Sequence, residues 1–381
     1  MKIPYNNIFY TEKEIEYVKD ALEKQQINAD GKYTKLVSSL LEDNFGIEKI
    51  LMTTSGTHAL EMASMLIEIK PNDEVIMPSF TFPSTANAVM IHGAKPVFAD
   101  IKSDTLNIDP ADIEAKITKK TKAIIPVHYG GIGCQMDIIM DIAKSHDLYV
   151  IEDAAQGVNA KYKEKFLGAW GHIGCYSFHG TKNYISGEGG AVAINISDSE
   201  LIKKAEIIRQ KGTNRQEFIR GEAKRYSWVD IGSSYGPSDI LMAILYAQIE
   251  QMDIIKAKRR VINDFYSENL SKYIDAGKIK SMTYIPEKCD SNYHLYYLIF
   301  HSEKDRDKMI EKLKEKGISA VIHFVPLHSS SMGRKLGYTP SDLPITENAS
   351  RCLVRLPMYT NMTEDEMYYI IETIDSIFKE F

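Results

Sequence analysis

Short apolar runs alternate with amphipathic segments through the first two thirds of this chain. Near-continuous apolar runs predict β-strands at 74–77, 96–99, 122–127, 148–152, 173–178 and 190–194. Most of the intervals between them are long enough for a helix and carry apolar residues at helical spacing. Strands of this kind, separated by helices, are typical of a parallel sheet that is covered on both faces. The pattern therefore predicts an α/β fold in which ligands bind beyond the carboxyl ends of the strands.

The pattern changes after about residue 240. It predicts a helix over 239–263, a strand at 294–300, a helix at 304–315, a strand at 318–325 and a final helix that begins after Thr363. Near the amino terminus, Thr11 and Glu14 form a capping box that predicts the first helix. Because 381 residues exceed an ordinary single core, we expect a large domain over residues 1–245 and a smaller α/β domain over 246–381.

Composition narrows the classes of function that remain open. The hydrophobic fraction of 44% and the charged fraction of 26% are those of a soluble globular protein. A net charge of −6 offers no field for holding nucleic acid or an anionic membrane, and no apolar run is long enough to span a bilayer. The four cysteines form neither a CxxC pair nor a metal-ligand spacing. We therefore expect a cytoplasmic protein that binds no nucleic acid, no membrane and no metal.

One lysine and one aspartate stand at the ends of predicted strands. Lys182 follows the strand at 173–178 and precedes the turn Gly187-Glu188-Gly189-Gly190, while Asp153 directly follows the strand at 148–152. Taken singly, a lysine is usually a solvated surface group and such an aspartate is usually a helix cap. Together they suit pyridoxal phosphate, because the amine can attach the aldehyde covalently and the carboxylate can keep the pyridine nitrogen protonated. The sequence therefore predicts a pyridoxal-phosphate enzyme.

Other residues fit the same cofactor. The triplet Ser55-Gly56-Thr57 opens a helix, where free N–H groups and a glycine can cradle a phosphate, although alone it is an ordinary helix cap. Phe82 is a candidate for stacking on the cofactor ring, and the alternative is a core aromatic. Gln156, one helical turn after Asp153, is placed to reach the cofactor's phenolic oxygen. His328 is a candidate substrate contact from the smaller domain.

With these residues identified, the chain resembles the sugar-nucleotide aminotransferases of the DegT/DnrJ/EryC1/StrS family over essentially its full length. Several motifs match in the same order, which makes the resemblance specific. They are Asp30-Gly31-Lys32-Tyr33, Ser55-Gly56-Thr57, residues 78–85, Pro126-Val127-His128, Glu152-Asp153-Ala154-Ala155-Gln156, residues 177–190 and Pro326-Leu327-His328. The resemblance implies the aspartate aminotransferase fold, called fold type I, and a homodimer whose active sites lie at the subunit interface.

The resemblance also implies a role for each matching residue. It implies Lys182 as the Schiff-base lysine, Asp153 as the pyridinium partner, and Phe82 stacked on the ring. It implies Gln156 beside the phenolic oxygen, and as phosphate contacts Gly56, Thr57, Ser177 and Ser234 of the partner subunit. The family usually has an asparagine where this chain has Ser234. Because serine is shorter, its contact with the phosphate is expected to run through water.

Segments 171–175, 207–215 and 228–235 are similar to one branch of the family, which serves the synthesis of enterobacterial common antigen. The similarity implies dTDP-4-keto-6-deoxy-D-glucose as the amino acceptor, L-glutamate as the donor and an axial C4 amine as the product. Candidate partners for the donor's carboxylate are Lys211, Arg215 and Arg220.

Three alternatives stay open. One is amination of another keto-sugar nucleotide, at C3 or with a different nucleotide. The second is the dehydratase variant of the family, which has a histidine where this chain has Lys182. The third, from another class, is a non-catalytic sensor or regulator built on the same fold.

Overall fold

The computed structural model describes residues 1–380 and is built around a seven-stranded mixed sheet. The strands of this sheet and of a small side sheet are β1 Lys49–Thr53, β2 Glu74–Pro78, β3 Lys95–Ala99, β4 Thr121–Ile124, β5 Tyr149–Asp153, β6 Lys161–Tyr162, β7 Lys165–Phe166, β8 Ile173–Ser177 and β9 Gly190–Ile194. The order in the large sheet is β1-β9-β8-β5-β4-β2-β3. Strand β9 is antiparallel to both neighbours, and the five strands from β8 to β3 are parallel. The carboxyl ends of β8 and β5 therefore lie side by side.

Helices cover both faces of this sheet. They are α1 Glu12–Glu23, α2 Lys32–Phe45, α3 Gly56–Leu66, α4 Pro83–Met90, α5 Pro110–Ala115, α6 Met136–Ser145, α7 Ser199–Arg209, α8 Arg215–Ile219 and α9 Asp239–Ile249. Alternate strand residues face opposite sides, as the period of two requires. Cys175 packs in the core formed with α3, α4 and α7, whereas its neighbour Tyr176 packs in the core formed with α2 and α9.

The rest of the chain forms a second layer of helices on a three-stranded sheet, ordered β10-β12-β13. Its elements, with one strand of the side sheet, are α10 Met252–Leu270, α11 Lys272–Asp275, β10 Ser281–Met282, β11 Cys289–Asp290, β12 Tyr296–Ile299, α12 Glu303–Glu315, α13 Ser331–Lys335, α14 Pro344–Cys352, β13 Leu353–Leu356 and α15 Glu364–Lys379. The amino-terminal Ile3 packs in this second core, and its N–H donates to the Gly317 carbonyl at 2.9 Å. The boundary predicted at residue 245 falls inside α9, and the division into two domains stays a prediction.

The structure confirms most of the predicted elements and corrects two of them. The six predicted strands of the large sheet are present, and the capping boxes at Thr11 and Thr363 both form. The single helix predicted over 239–263 is wrong, because α9 ends at Ile249 and α10 begins at Met252. Glu250, at the break, binds the Lys13 ammonium and the Tyr17 hydroxyl, so contacts with α1 accompany the interruption.

The strand predicted at 318–325 is also wrong. Its extended backbone pairs only at two isolated positions, Ile318 with Ile3 and Val321 with Arg355. His323 and Phe324, farther along this segment, line a cavity instead of continuing the sheet. Apolar composition alone therefore overstated the length of regular pairing.

Residues 1–380 contain neither a candidate membrane-spanning helix nor a candidate metal-binding cluster. No helix in that range is both long and apolar enough to cross a membrane. In the same range, no group of three or more His, Cys, Asp or Glu side chains is arranged to hold a metal ion.

Candidate active site

A cavity of about 570 Å³ lies at the carboxyl edge of the large sheet. The ends of β5 and β8, the start of α3 and the loop before α4 form one side of it. The second core closes the other side with residues from α10, β13 and the 318–325 segment. The predicted residues Lys182, Asp153, Gln156, Phe82 and Ser177 all line this one cavity, together with Gly56 and Thr57.

Asp153, the last residue of β5, is a buried carboxylate that faces the cavity with only 5% of its surface exposed. Its Oδ2 accepts a hydrogen bond from the Thr85 hydroxyl at 2.8 Å, and its Oδ1 accepts one from the Ala155 N–H at 3.2 Å. Burial raises the pKa of Asp153, while these two bonds and the nearby Lys182 charge oppose the rise. A carboxylate held in this way gains from a cation placed beside it, which is what a protonated ring nitrogen provides.

Lys182 lies in the loop after β8, across the cavity from the β5 end. Its backbone N–H donates to the His179 carbonyl at 2.8 Å, and Gly180 donates to the Gly187 carbonyl at 2.9 Å, so the loop folds back on itself. Burial lowers the pKa of Lys182 to about 8; the Arg355 charge adds to this effect and the Asp153 charge opposes it. At neutral pH a useful fraction of this amine is therefore unprotonated and able to act as a nucleophile or base.

The start of α3 forms an anion cradle. The Ser55 hydroxyl caps the helix by accepting from the His58 N–H at 3.1 Å, and the Thr57 and Ser84 hydroxyls hydrogen-bond each other at 2.7 Å. Only glycine fits at residue 56, because a Cβ there would lie 2.8 Å from the Cβ of Ser177. The β8 end thus packs directly on the first helical N–H groups, which is the arrangement that binds a phosphate.

Phe82 and Gln156 occupy the places expected of ring contacts. Phe82 lines the cavity but is 60% exposed, so its ring lacks the core packing that the alternative reading required. The Gln156 amide oxygen accepts from the Gly130 N–H at 2.7 Å, which turns its NH₂ group toward other partners. Both side chains are therefore free to contact a flat ligand above Asp153.

Five predicted residues lie outside this cavity. Ser234, Lys211, Arg215 and Arg220 are exposed in the segment that follows α7, and none of them lines the cavity of their own chain. His328 is fully buried and bonded through Nδ1 to the Ser79 hydroxyl at 2.7 Å, with Nε2 3.6 Å from the Glu347 carboxylate. In this chain His328 anchors the loop after the 318–325 segment and does not face the cavity.

The sequence analysis missed several residues that line the cavity or support it. They are Tyr5, Ser84, Thr85, Arg259, His294, His323 and Arg355. Thr85 was within reach of a sequence argument, since it follows Thr81 by one helical turn and the two hydroxyls bond at 2.8 Å. Ser84 directly precedes Thr85 in the stretch 78–85, whereas the remaining residues come from distant parts of the chain where no local pattern marks them as neighbours of Lys182.

A buried hydrogen bond between His128 and Glu152 supports the β5 end. His128 Nε2 lies 2.8 Å from the Glu152 carboxylate, and both side chains are fully buried. Glu152 also accepts from the N–H groups of Gly168 and Gly171, and His128 Nδ1 accepts from the Cys134 N–H. Since Glu152 directly precedes Asp153, this network fixes the strand end that presents Asp153.

Comparison with known proteins adds four findings. A model of the DegT/DnrJ/EryC1/StrS aminotransferase family matches residues 9–375. The chain is 31% identical over 382 residues to the GDP-perosamine synthase of Escherichia coli O157:H7, covering 99% of each chain. It is 35% identical over 329 residues to a pleiotropic regulatory protein of Geobacillus stearothermophilus, covering 86% of this chain and 84% of that one. The PLP form of Spr1654 from Streptococcus pneumoniae, assigned as a sugar aminotransferase, matches with a TM-score of 0.92 and 27% identity, covering 100% of this chain and 99% of that one.

Proposed function

This chain belongs to the DegT/DnrJ/EryC1/StrS aminotransferase family, and on that premise we propose that it moves the amino group of L-glutamate to the C4 keto group of dTDP-4-keto-6-deoxy-D-glucose. The product is dTDP-4-amino-4,6-dideoxy-D-galactose, for surface polysaccharide synthesis. The observation that most directly supports an aminotransferase activity is that Lys182 and Asp153 line the same cavity. The lysine there has a pKa of about 8, and the carboxylate is buried.

Pyridoxal 5′-phosphate fits the residues that line this cavity. Gly56, Thr57 and Ser177 would hold the phosphate at the start of α3, where a side chain at residue 56 has no room. Phe82 would cover the ring, and Lys182 would attach the cofactor covalently. Asp153 and Gln156 would contact the ring from the β5 side. The solved Spr1654 structure in its PLP form supports this assignment.

Different residues of this chain would serve different steps of the proposed reaction. The bound cofactor supplies an electron sink for negative charge that develops at the reacting carbon. Asp153 keeps the ring nitrogen protonated, because its buried negative charge stabilises the positive form. Lys182 Nζ takes a proton from the reacting carbon of the donor and later returns one to the reacting carbon of the sugar. Phe82 and the second core shield these steps from water.

The choice of sugar rests on sequence segments that lie outside the cavity of their own chain. Segments 207–215 and 228–235 are those that are similar to the branch acting on dTDP-4-keto-6-deoxy-D-glucose. GDP-perosamine synthase is a relative that is named for an amino sugar carried on a nucleotide. Both observations favour a keto-sugar nucleotide as the acceptor.

We propose that two copies of the chain share their active sites. The segment 211–236 exposes a group of large apolar side chains, which is typical of a protein interaction surface. They are Phe218 (47% exposed), Ile219 (61%), Tyr226 (54%), Trp228 (78%), Val229 (51%) and Ile231 (72%). Ser234 lies in the same segment. A homodimer that buries this surface would bring Ser234 to the cofactor phosphate of the partner subunit. The free cysteines Cys134, Cys175, Cys289 and Cys352 fit a cytoplasmic location.

The test is to incubate the purified protein with pyridoxal phosphate, L-glutamate and dTDP-4-keto-6-deoxy-D-glucose and to solve the product by NMR. An axial amine at C4 supports the proposal. Amination at C3, or turnover only with another nucleotide sugar, would replace the proposed substrate but keep the transaminase. Loss of a sugar hydroxyl without amination would instead indicate the dehydratase reaction.

A regulatory role is the second candidate, because one relative is named a pleiotropic regulatory protein. A purely regulatory protein would bind the cofactor without turning over any keto-sugar nucleotide. Since Lys182 and Asp153 are both present and line one cavity, we favour the enzyme. Measurable turnover in the NMR assay would decide between the two.

A further inference from the structure

We infer that Arg355 binds the α-carboxylate of the amino donor. It lies in β13, an edge strand of the three-stranded sheet of the second core, and it lines the cavity. This inference rests on the proposed transaminase function and adds the position of the donor. It replaces the earlier candidates Lys211, Arg215 and Arg220, which lie outside the cavity of their own chain.

The backbone of Arg355 is fixed from both sides. It pairs with Tyr297 in β12, and its N–H donates to the Val321 carbonyl at 2.8 Å. The guanidinium group lies over the ring of Tyr5, 4.6 Å from the ring centroid. This contact holds the planar group by a cation–π interaction and leaves its edge available to a ligand.

The guanidinium group of Arg355 has no carboxylate partner within residues 1–380, and its Nε is buried without a hydrogen bond. The other cavity arginine, Arg259, is already satisfied, because it donates to the carbonyls of Tyr293 at 2.8 Å, His294 at 2.6 Å and Met358 at 3.5 Å. A buried arginine edge without a partner is costly unless an anion binds there.

The two acidic side chains of the cavity are engaged elsewhere. Asp153 accepts from Thr85 and Ala155, and the Glu188 carboxylate lies 3.6 Å from His179. Within residues 1–380 of its own chain no carboxylate satisfies Arg355, and a ligand anion would supply this partner. Carboxylate and phosphate both match the planar fork of an arginine with two parallel hydrogen bonds, so the position of Arg355 in the cavity has to decide between them.

The position of Arg355 favours the α-carboxylate of the amino donor over the diphosphate of the sugar nucleotide as its ligand. Arg355 and Lys182 line the same cavity, and in keeping with this the Arg355 charge contributes to lowering the pKa of Lys182. In an amino acid the carboxylate is bonded to the carbon that carries the amine, which places the two groups side by side. In the sugar nucleotide the diphosphate is separated from C4 by the sugar ring. A cation beside Lys182 therefore suits the α-carboxylate.

The experiment separates the two half-reactions of the holoenzyme. Conversion of the bound cofactor by L-glutamate is followed by absorbance in single-turnover mixing, for wild type, Arg355→Gln and Arg355→Lys. The matched control is Arg351→Gln, because Arg351 is a neighbouring arginine that is exposed and paired with Glu303 at 2.9 Å. We expect the half-saturating glutamate concentration to rise roughly 10- to 100-fold in Arg355→Gln, by loss of a charged hydrogen-bonding partner. Arg355→Lys should be intermediate and Arg351→Gln unchanged.

A second readout needs no turnover. Glutarate carries the carboxylates of glutamate but lacks the amine, so its binding to the holoenzyme can be measured by calorimetry. Arg355→Gln should weaken this binding by a similar factor. The inference would be overturned if Arg355→Gln were half-saturated at the same glutamate concentration as wild type. A defect of this variant that is confined to the sugar half-reaction would also overturn it and would indicate a contact with the diphosphate.

The outcome is independent of the sugar substrate. If glutamate does not convert the wild-type cofactor, the proposed donor is wrong and the same comparison is made with whichever of glutamine, aspartate or alanine does. Each of these carries the α-carboxylate that Arg355 is inferred to bind. If no amino acid converts the cofactor, both the transaminase proposal and the inference fail.

Discussion

Lys182 and Asp153 share one cavity, and burial moves their pKa values in opposite directions. The pKa of Lys182 falls to about 8, whereas that of Asp153 rises. In both cases desolvation favours the neutral form. A positive charge beside Asp153, such as the protonated ring nitrogen of the proposed cofactor, would favour the ionised carboxylate and oppose this effect of burial.

Replacing Lys182 with alanine removes the group that moves protons. We expect Lys182→Ala to lower the transamination rate by at least about 100-fold, since positioned general bases contribute factors of this size or more. Cofactor affinity should fall less, because the phosphate cradle at Gly56 remains. Steady-state kinetics measure the transamination rate, and fluorescence titration measures the cofactor affinity.

In wild type, borohydride reduction should attach the cofactor permanently to Lys182. Near-native turnover of Lys182→Ala would show that the lysine has no part in the mechanism.

Replacing Asp153 with asparagine keeps the shape of the side chain but removes its charge. The rate at saturating cofactor should fall by about 100-fold or more, because electrostatic stabilisation of developing charge is lost. If only cofactor affinity falls while the saturated rate holds, Asp153 has no role as pyridinium partner.

The same substitution should stabilise the protein in the absence of cofactor. Burial raises the pKa of Asp153 in the folded state. Ionisation of this group therefore destabilises the folded protein progressively as the pH rises from the unfolded-state pKa to the folded-state pKa. At any pH above the folded-state pKa the destabilisation is complete. Asparagine does not titrate. Asp153→Asn should therefore raise the melting temperature of the apoprotein at neutral pH, by an amount that shrinks toward acidic pH. An equal change at both pH values would contradict this electrostatic origin.

At the scale of elements, the predictable part of the site is the part built from local patterns. Asp153 and Ser177 could be placed because each ends an apolar strand, and the parallel order of β5 and β8 brings them together. Gly56 could be placed because it opens α3. Arg355 and His323 could not, since Arg355 is placed by long-range pairing with Val321 and His323 lies in an irregular segment, and no local pattern specifies either position. The prediction of an α/β fold of the aminotransferase type is confirmed, and its sheet is mixed because β9 runs antiparallel to both neighbours.

The contact between α3 and β8 makes a further prediction at this scale. In Gly56→Ala the new Cβ would lie 2.8 Å from the Ser177 Cβ, so the helix start or the strand end must move. Overpacking of this kind costs roughly 1–3 kcal/mol, and we expect cofactor affinity to fall about tenfold. Gly180→Ala is the matched control, because a Cβ there would meet only the Gly187 carbonyl at 3.9 Å. Equal affinities in the two variants would show that the close approach does not shape the phosphate site.

At the scale of the whole molecule, the segment 211–236 pairs with itself and with the end of α7. Ser234 pairs with Gln210 and Trp228 with Thr213, both as isolated bridges. The rest of the segment projects apolar side chains outward, with Trp228 78% exposed. In a single chain these apolar side chains stay exposed to solvent. The proposed dimer would bury them and bring Ser234 toward the cavity of the partner subunit.

This arrangement makes a complementation test possible. A Lys182→Ala chain lacks the proton-moving amine, and a Ser234→Trp chain should block the phosphate site of its partner by bulk. Each homodimer should be inactive, but a mixed dimer has one site with both Lys182 and Ser234 intact. Refolding the two variants together at equal amounts should restore roughly a quarter of wild-type activity, since half of the dimers would be mixed and each would have one working site of two. Ser234→Ala is the milder companion variant, because one neutral hydrogen bond contributes only about 1 kcal/mol. If the mixture recovers nothing while wild type refolded in the same way recovers fully, each site is complete within one chain and the exposed surface serves another partner.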